Sequence, residues 1–347
     1  MATTPSSLED ETNSIVLADL DWTPSDFDDD ASFEVESEDG SGLGGFETSG
    51  SQSSKSTLEK GVRKHRFHHG RRYHHYRSGT YPLPNDQLEQ DREDMKHVMM
   101  LDLTDGKYFL APIQKPQSVI DLGTGTGLWC IEVGEMLPDA KVIGVDLSPI
   151  QPRWTPPNVN FNVDDIEDEW LYGTKFDLVH ARHVFPFIKD TRGVTEKAFS
   201  NLVSGGWFEV QDLGLAALCD DGTVPEDFGI AKFLNVTTEA WKQLGCDIRI
   251  GPKLEGILQE AGFINVNCTT YKVPIGGWPA DRKLQSLGMH MRFALDMVVP
   301  PMCTTLGTVL GWSAAEKDAF CLKSRQSLED TSAHAYLYCY IVHGQKP

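Results

Sequence analysis

The chain has 347 residues, 40% of them hydrophobic, and a formal net charge of −20 at pH 7. The charge is uneven: residues 1–50 carry 14 acidic side chains and no Lys or Arg, leaving a net of −6 for the rest. A body this close to neutral lacks the basic footprint of a general nucleic-acid binder. No run of about 18 apolar residues marks a membrane span, and the opening MATTPSSLEDETNS does not read as a secretory leader.

Residues 1–58 are rich in Ser, Asp, Glu and Gly and bury too little apolar surface to offset ordering entropy, so they read as a disordered acidic tail. Leu20, Trp22, Phe27 and Phe33 punctuate it, which suits either a segment that binds a protein partner or a solvated tail. Between Lys60 and Arg77 follow seven Lys or Arg and five His. Three readings compete there: a nuclear address or nucleic-acid patch, a metal site at His68, His69, His74 and His75, and an arm packed on the next domain through Tyr73, Tyr76 and Tyr81. The metal site lacks an acid or Cys to complete it, and the packed arm is preferred. The stretch DQLEQDREDMKHVMMLDL predicts an amphipathic helix with Leu88, Met95, Met99 and Leu103 on one face. These divisions place the tail at 1–58, an arm with its helix at 59–110, and a catalytic domain at 111–347.

From residue 118 strands and helices alternate. Strands are predicted at 118–122, 141–147, 159–163, 176–181 and 206–213, and helices near 126–137, 191–203, 228–244 and 252–261. That order predicts a parallel sheet with right-handed crossovers. Two further strands are predicted at 266–274 and 333–343, the second with Tyr336, Tyr338 and Tyr340 alternating with Leu337, Cys339 and Ile341. The segments 214–245 and 275–312 are apolar and aromatic, with Phe228, Phe233, Trp241, Trp278, Met289, Met291, Phe293, Met302 and Trp312, and suit a lid over a hydrophobic small molecule. Seven scattered cysteines, without CxxC pairing or zinc-ligand spacing, suggest reduced thiols in a cytoplasmic or nuclear compartment and no metal.

The chemistry gathers at strand ends, where ligands bind in an open parallel sheet. The first strand runs into Gly123-Thr124-Gly125-Thr126-Gly127, which lets backbone approach a ligand closely. The second ends in Asp146, followed by Leu147, and an acid there accepts from both hydroxyls of a ribose. A dinucleotide would want G-x-G-x-x-G with its pyrophosphate at the helix N-terminus. Here the spacing is G-x-G-x-G, and Asp121 stands just ahead, where it would repel a pyrophosphate and favour an ammonium. S-adenosylmethionine has the ribose and the ammonium and no phosphate, so it is the expected cofactor and a nucleotide-cofactor oxidoreductase is disfavoured. Asp164, Asp165 and Ile166 follow the third strand and suit the adenine. The fourth ends in HARHVFPF: His180 reads as structural, while Arg182 and His183 reach the pocket. The fifth carries Glu209, Gln211 and Asp212, with Glu209 read as a fold-supporting acid.

DLGTGTGLW, VIGVDLSPIQP, VDDIEDEW and GGWFEVQD resemble the class I S-adenosylmethionine-dependent methyltransferases, and more narrowly the fungal LaeA-like group. The arm GRRYHHYRSGTYPLPNDQLEQDR is similar to that group's as well. The resemblance covers roughly residues 70–347. It implies a Rossmann-like α/β fold with a seven-stranded, mostly parallel sheet, an antiparallel last strand and helical lid inserts. It also implies either a tailoring enzyme of secondary metabolism or a regulator of secondary-metabolite clusters. His183 is the candidate general base for a small-molecule acceptor, against the plainer reading of a pocket wall.

Overall fold

The computed structural model describes residues 64–347. The acidic tail, and any partner contact through it, lies outside the described residues.

A hairpin of β1 (His65–His68) and β2 (Arg71–His74) leads to α1 (Gln87–Leu103). The chain then runs β3 (Ser118–Leu122), α2 (Leu128–Met136), β4 (Lys141–Asp146), β5 (Val159–Val163), β6 (Phe176–Arg182), α3 (Thr191–Asn201) and β7 (Leu202–Leu218). It continues with α4 (Gly229–Gln243), α5 (Leu254–Glu260), β8 (Ile264–Pro274), α6 (Arg282–Leu310), α7 (Ala314–Ser327) and β9 (Tyr336–Gln345). The expected strands and helices are all present. β7 extends to Leu218, so the first insert starts later than 214.

Seven strands form one sheet in the order β5-β4-β3-β6-β7-β9-β8. The first five strands pair in parallel, while β9 is antiparallel to both β7 and β8. β3, β4 and β6 are almost wholly buried, as parallel strands covered on both faces must be. The chain steps outward through β3, β4 and β5 and then returns to β6. That reversal opens a crevice beyond the carboxyl ends of β3 and β6.

One apolar core lies beneath α2 and a second beneath α3 and α5. A third joins β7, β8 and β9 to α1, α4 and α6. α6 is long and apolar enough to cross a membrane by length and composition. Its Leu287, Met291, Leu295, Val299 and Leu306 are instead buried in that third core. Asp281 caps its start by accepting from Leu284 N, and Gly311 ends it at φ 64°.

α1 departs from its predicted face. Leu88 is 53% exposed, while Glu89, Arg92, Lys96 and His97 are buried with Met99, Met100 and Leu103. Apolar periodicity misreads this helix because its inner face borders a polar cleft, where its charges satisfy one another. Arg92 Nε donates to Glu89 Oε2 at 3.0 Å, and Lys96 Nζ donates to both Glu93 oxygens at 2.9 Å.

Candidate active site

The glycine loop after β3 sits at φ 68°, 57° and 83° for Gly123, Gly125 and Gly127, the left-handed region where side chains strain. A Cβ on Gly127 would meet the Phe161 ring at 2.4 Å, so this glycine serves packing. A Cβ on Gly125 would meet nothing within 4 Å, so this glycine leaves room for a ligand. Gly125 N donates to Asp146 Oδ2 and Ser148 N donates to Oδ1, both at 2.8 Å. Gln151 holds the loop from outside through the Gly125 carbonyl at 2.7 Å. Burial pushes the Asp146 carboxyl up to about 6, against the pull of its two backbone donors.

A cleft of ≈ 930 Å³, open to solvent, runs from this loop past Asp146, Leu147, Asp164, Asp165 and Ile166. Asp164 accepts from Tyr172 Oη at 3.3 Å, and Asp165 accepts from Glu167 N at 2.9 Å. Ile166 is buried. The arm closes this end: Arg77 pairs with Asp168 and lies 3.8 Å from Asp165. Asn85 Nδ2 donates to Ser148 Oγ at 3.3 Å, and Tyr81 meets Phe187 edge-on at 5.1 Å.

At the other end a smaller recess of ≈ 410 Å³ is lined by Glu93, His97, Asp121, Gly123, Thr124, Gly125, Arg182 and His183. Asp121 does not stand free there. It is 3% exposed, and its Oδ1 accepts from His180 Nδ1 at 2.7 Å. His180 in turn stacks on Trp129, with ring centroids 3.9 Å apart. Glu93 supplies a second acid that the sequence reading missed. Burial opposes its ionisation, but Arg92 and Lys96 outweigh burial and hold it at about 2. Arg182 Nη2 donates to His97 Nδ1 at 2.7 Å. A guanidinium only donates, so His97 carries its proton on Nε2, which donates to Glu132 Oε2 at 2.6 Å. Thr126 Oγ1 donates to Asp94 of α1, tying loop to helix at 2.7 Å.

His183 follows β6 at φ 60°, a strained position for a side-chain-bearing residue. Its Nε2 is buried without a hydrogen-bond partner. Burial, then the cations Lys96, Arg182 and Arg92, hold its imidazole well below the usual histidine range, so it is neutral. Glu209 accepts from Leu110 N and Ala111 N at 2.8 and 2.6 Å, which fastens the segment after α1 to the sheet. Among the described residues no group of three or more His, Cys, Asp or Glu is placed to hold a metal ion.

Residues 92–267 match the family described as Methyltransferase domain. The chain belongs to that family. The methyltransferase pytC of Aspergillus terreus is 36% identical over 85% of this chain and 92% of its own length. The probable methyltransferase tdiE of Emericella nidulans is 31% identical over 78% and 87%. The secondary metabolism regulator laeA of Aspergillus flavus is 29% identical over 88% and 85%. A solved phosphoethanolamine N-methyltransferase 2 of Haemonchus contortus aligns at TM-score 0.42 and 17% identity, covering 73% of this chain and 52% of that one. That match begins within α1, five residues past its start, and the enzyme class is that of the S-adenosylmethionine-dependent methyltransferases.

The donor set fits that cofactor. The cleft has the open Gly125 position and the half-buried Asp146 for a ribose, then Asp164, Asp165 and Ile166 for a base. The recess offers acids for an ammonium and Arg182 for a carboxylate.

Proposed function

We propose that this methyltransferase binds S-adenosylmethionine along the cleft and recess and methylates a small, mainly apolar molecule of fungal secondary metabolism. Asp146 would accept from the ribose hydroxyls, with Gly123, Gly125 and Leu147 beside them. Asp165, Asp164 and Ile166 would take the adenine. Glu93 and Asp121 would face the ammonium, and Arg182 the carboxylate.

One observation carries this reading. A second cavity, of ≈ 740 Å³ including its mouth, opens under α4 and α6, and it shares Tyr81, His183 and Phe187 with the cleft. A molecule there lies across one wall from the cofactor, and that wall bears the unpartnered Nε2 of His183. The cofactor, when bound, supplies an electrophilic methyl group that needs little further activation. The protein's work is then alignment, which contributes about 7–11 kcal/mol, and taking up an acceptor proton at His183 Nε2. A neutral imidazole held low by neighbouring cations is a weak base, so it suits an acidic hydroxyl such as a phenol or enol.

The test is calorimetric titration with S-adenosylmethionine, S-adenosylhomocysteine and NAD. The first two bind and NAD does not, and Asp146→Ala weakens binding about 10–100-fold by removing a cleft-facing acceptor. Equal binding of NAD would sink the assignment.

The similarity to laeA supports a second reading, a nuclear regulator that binds the same cofactor and acts through protein partners. Partner capture with and without residues 1–58 separates the two. Seven unpaired cysteines fit a cytosolic or nuclear setting for either.

A further inference from the structure

The cavity under the lid contains a group that neither the fold nor the cofactor uses. Asp212, in β7, is fully buried, and neither of its carboxylate oxygens has a hydrogen-bond partner. It lines this cavity together with His183, Lys96, Arg92 and an apolar wall that includes Phe233 and Met291. It lies beside His183 because His183 N donates to the carbonyl of Gln211 at 3.0 Å across the β6–β7 pair. Two unpartnered polar groups, His183 Nε2 just past the end of β6 and the Asp212 carboxyl within β7, thus lie side by side in a mainly apolar space.

A buried polar group without a partner costs stability, so its retention calls for a ligand that supplies the partner. The form of Asp212 decides which ligand. Burial pushes its carboxyl well above the usual carboxylate range, with Lys96 and the nearby backbone N–H groups of Phe185 and His183, which fall short of good hydrogen-bond geometry, pulling the other way. The charges nearby are already spent, since Lys96 pairs with Glu93 and Arg92 with Glu89. A carboxylate entering this space would lose its water and face no unpaired cation. An ammonium would lose its water too and find no unpaired acid besides Asp212, whose ionisation burial opposes. A neutral carboxylic acid, in contrast, both donates and accepts, and matches a hydroxyl or a carbonyl.

Resting on the methyltransferase reading above, we propose that the lid cavity takes an uncharged aromatic molecule bearing a hydroxyl. The unpartnered Asp212 carboxyl holds an oxygen of that molecule next to His183.

The experiment titrates the full chain, with S-adenosylhomocysteine present, with 2-naphthol, 2-methylnaphthalene and 2-naphthoate at pH 7. We expect 2-naphthol to bind about tenfold tighter than either of the others. Asp212→Asn keeps a donor and an acceptor without charge and should hold 2-naphthol within about threefold. Asp212→Leu should lose about tenfold or more for 2-naphthol and nothing for 2-methylnaphthalene. It should also melt at the same or a higher temperature without ligand, since an orphaned carboxyl is gone. Equal binding of 2-naphthol and 2-methylnaphthalene, absence of binding by all three, or loss of 2-naphthol in Asp212→Asn would overturn the proposal. A lower melting temperature for Asp212→Leu would mean that Asp212 serves the fold, and would overturn it too. Separate titration of each variant with S-adenosylhomocysteine reports on the cofactor reading alone: if the wild type fails there, that reading falls while the 2-naphthol preference still judges Asp212.

Discussion

The two cavities that meet at His183 are built from opposite materials. The cleft is made of strand-end loops whose polar groups already have partners: Asp146 with Gly125 and Ser148, Asp165 with Glu167, and Arg182 with His97. The lid cavity is made of helix faces, and it leaves His183 Nε2 and both Asp212 oxygens alone. Partnered groups are fixed before a ligand arrives, so the cleft is preorganised. Orphaned groups carry a desolvation cost that a ligand relieves, so the lid cavity gains its selectivity only on filling. The shared wall is where a generic site and a particular one are joined.

The sharpest way to break that division is His183→Ala. Its expected cost is a methyl-transfer rate about 10²–10⁴-fold lower, with the affinity for S-adenosylhomocysteine little changed. Single-turnover rates and titration on the same preparation check this, and a matching loss in both would place His183 on the cofactor side instead.

The glycine loop separates packing from ligand access. Gly127→Ala drives a Cβ into Phe161 at φ 83° and should lower stability by about 1–3 kcal/mol. Gly125→Ala meets only the backbone strain, about 1 kcal/mol, but should weaken S-adenosylhomocysteine binding by more than its melting temperature suggests. If both variants lose stability equally, the open space at Gly125 has no ligand role.

Acid should affect fold and site in opposite directions at Asp146. Its folded carboxyl sits near 6, above the ordinary 3.8. The cost of its buried charge is therefore fully present above pH 6 and disappears as pH falls towards 3.8. A ribose needs the ionised acceptor, so cofactor affinity should fall as pH drops through about 6. Titrations from pH 7.5 to 5 check this, and Asp146→Asn should flatten the profile.

The smallest effect belongs to the arm. Arg77 is exposed where it pairs with Asp168 and approaches Asp165. Arg77→Ala should cost only about 0.2–1 kcal/mol, read as a small shift in the melting temperature and a slight weakening of cofactor binding.

The cleft was far more legible in the sequence than the cavity, for the same reason that the two differ. Strand-end loops keep their cleft-lining residues close together in the chain, so Gly123, Gly125, Asp146, Asp164, Asp165 and Ile166, which line the cleft, could be picked out by reading along it. The recess draws Glu93 and His97 from a helix wound before the sheet begins, and α1 was read by its apolar spacing although charges fill its buried side. Asp121 lines the recess, and its Oδ1 is also held by His180, a pairing that β-strand register brings about and local spacing cannot reveal. Asp212 was noticed in its strand, yet its isolation depends on what surrounds it in space. Of the residues expected to form the lid, Phe233, Met291 and Met302 line the cavity, whereas Met289 and Phe293 remain partly exposed.

The position of β9 bears on how the domain comes into being. Residues 336–345 fill the gap between β7 and β8, and both neighbours hydrogen-bond to them along most of their length. During synthesis β7 is complete at Leu218 but must wait more than a hundred residues for its partner. Until then two strand edges stand bare beside an apolar core, the kind of surface that recruits chaperones or joins neighbouring chains. For this protein, aggregation risk is greatest after β8 has emerged and before residues 336–345 arrive to close the seam.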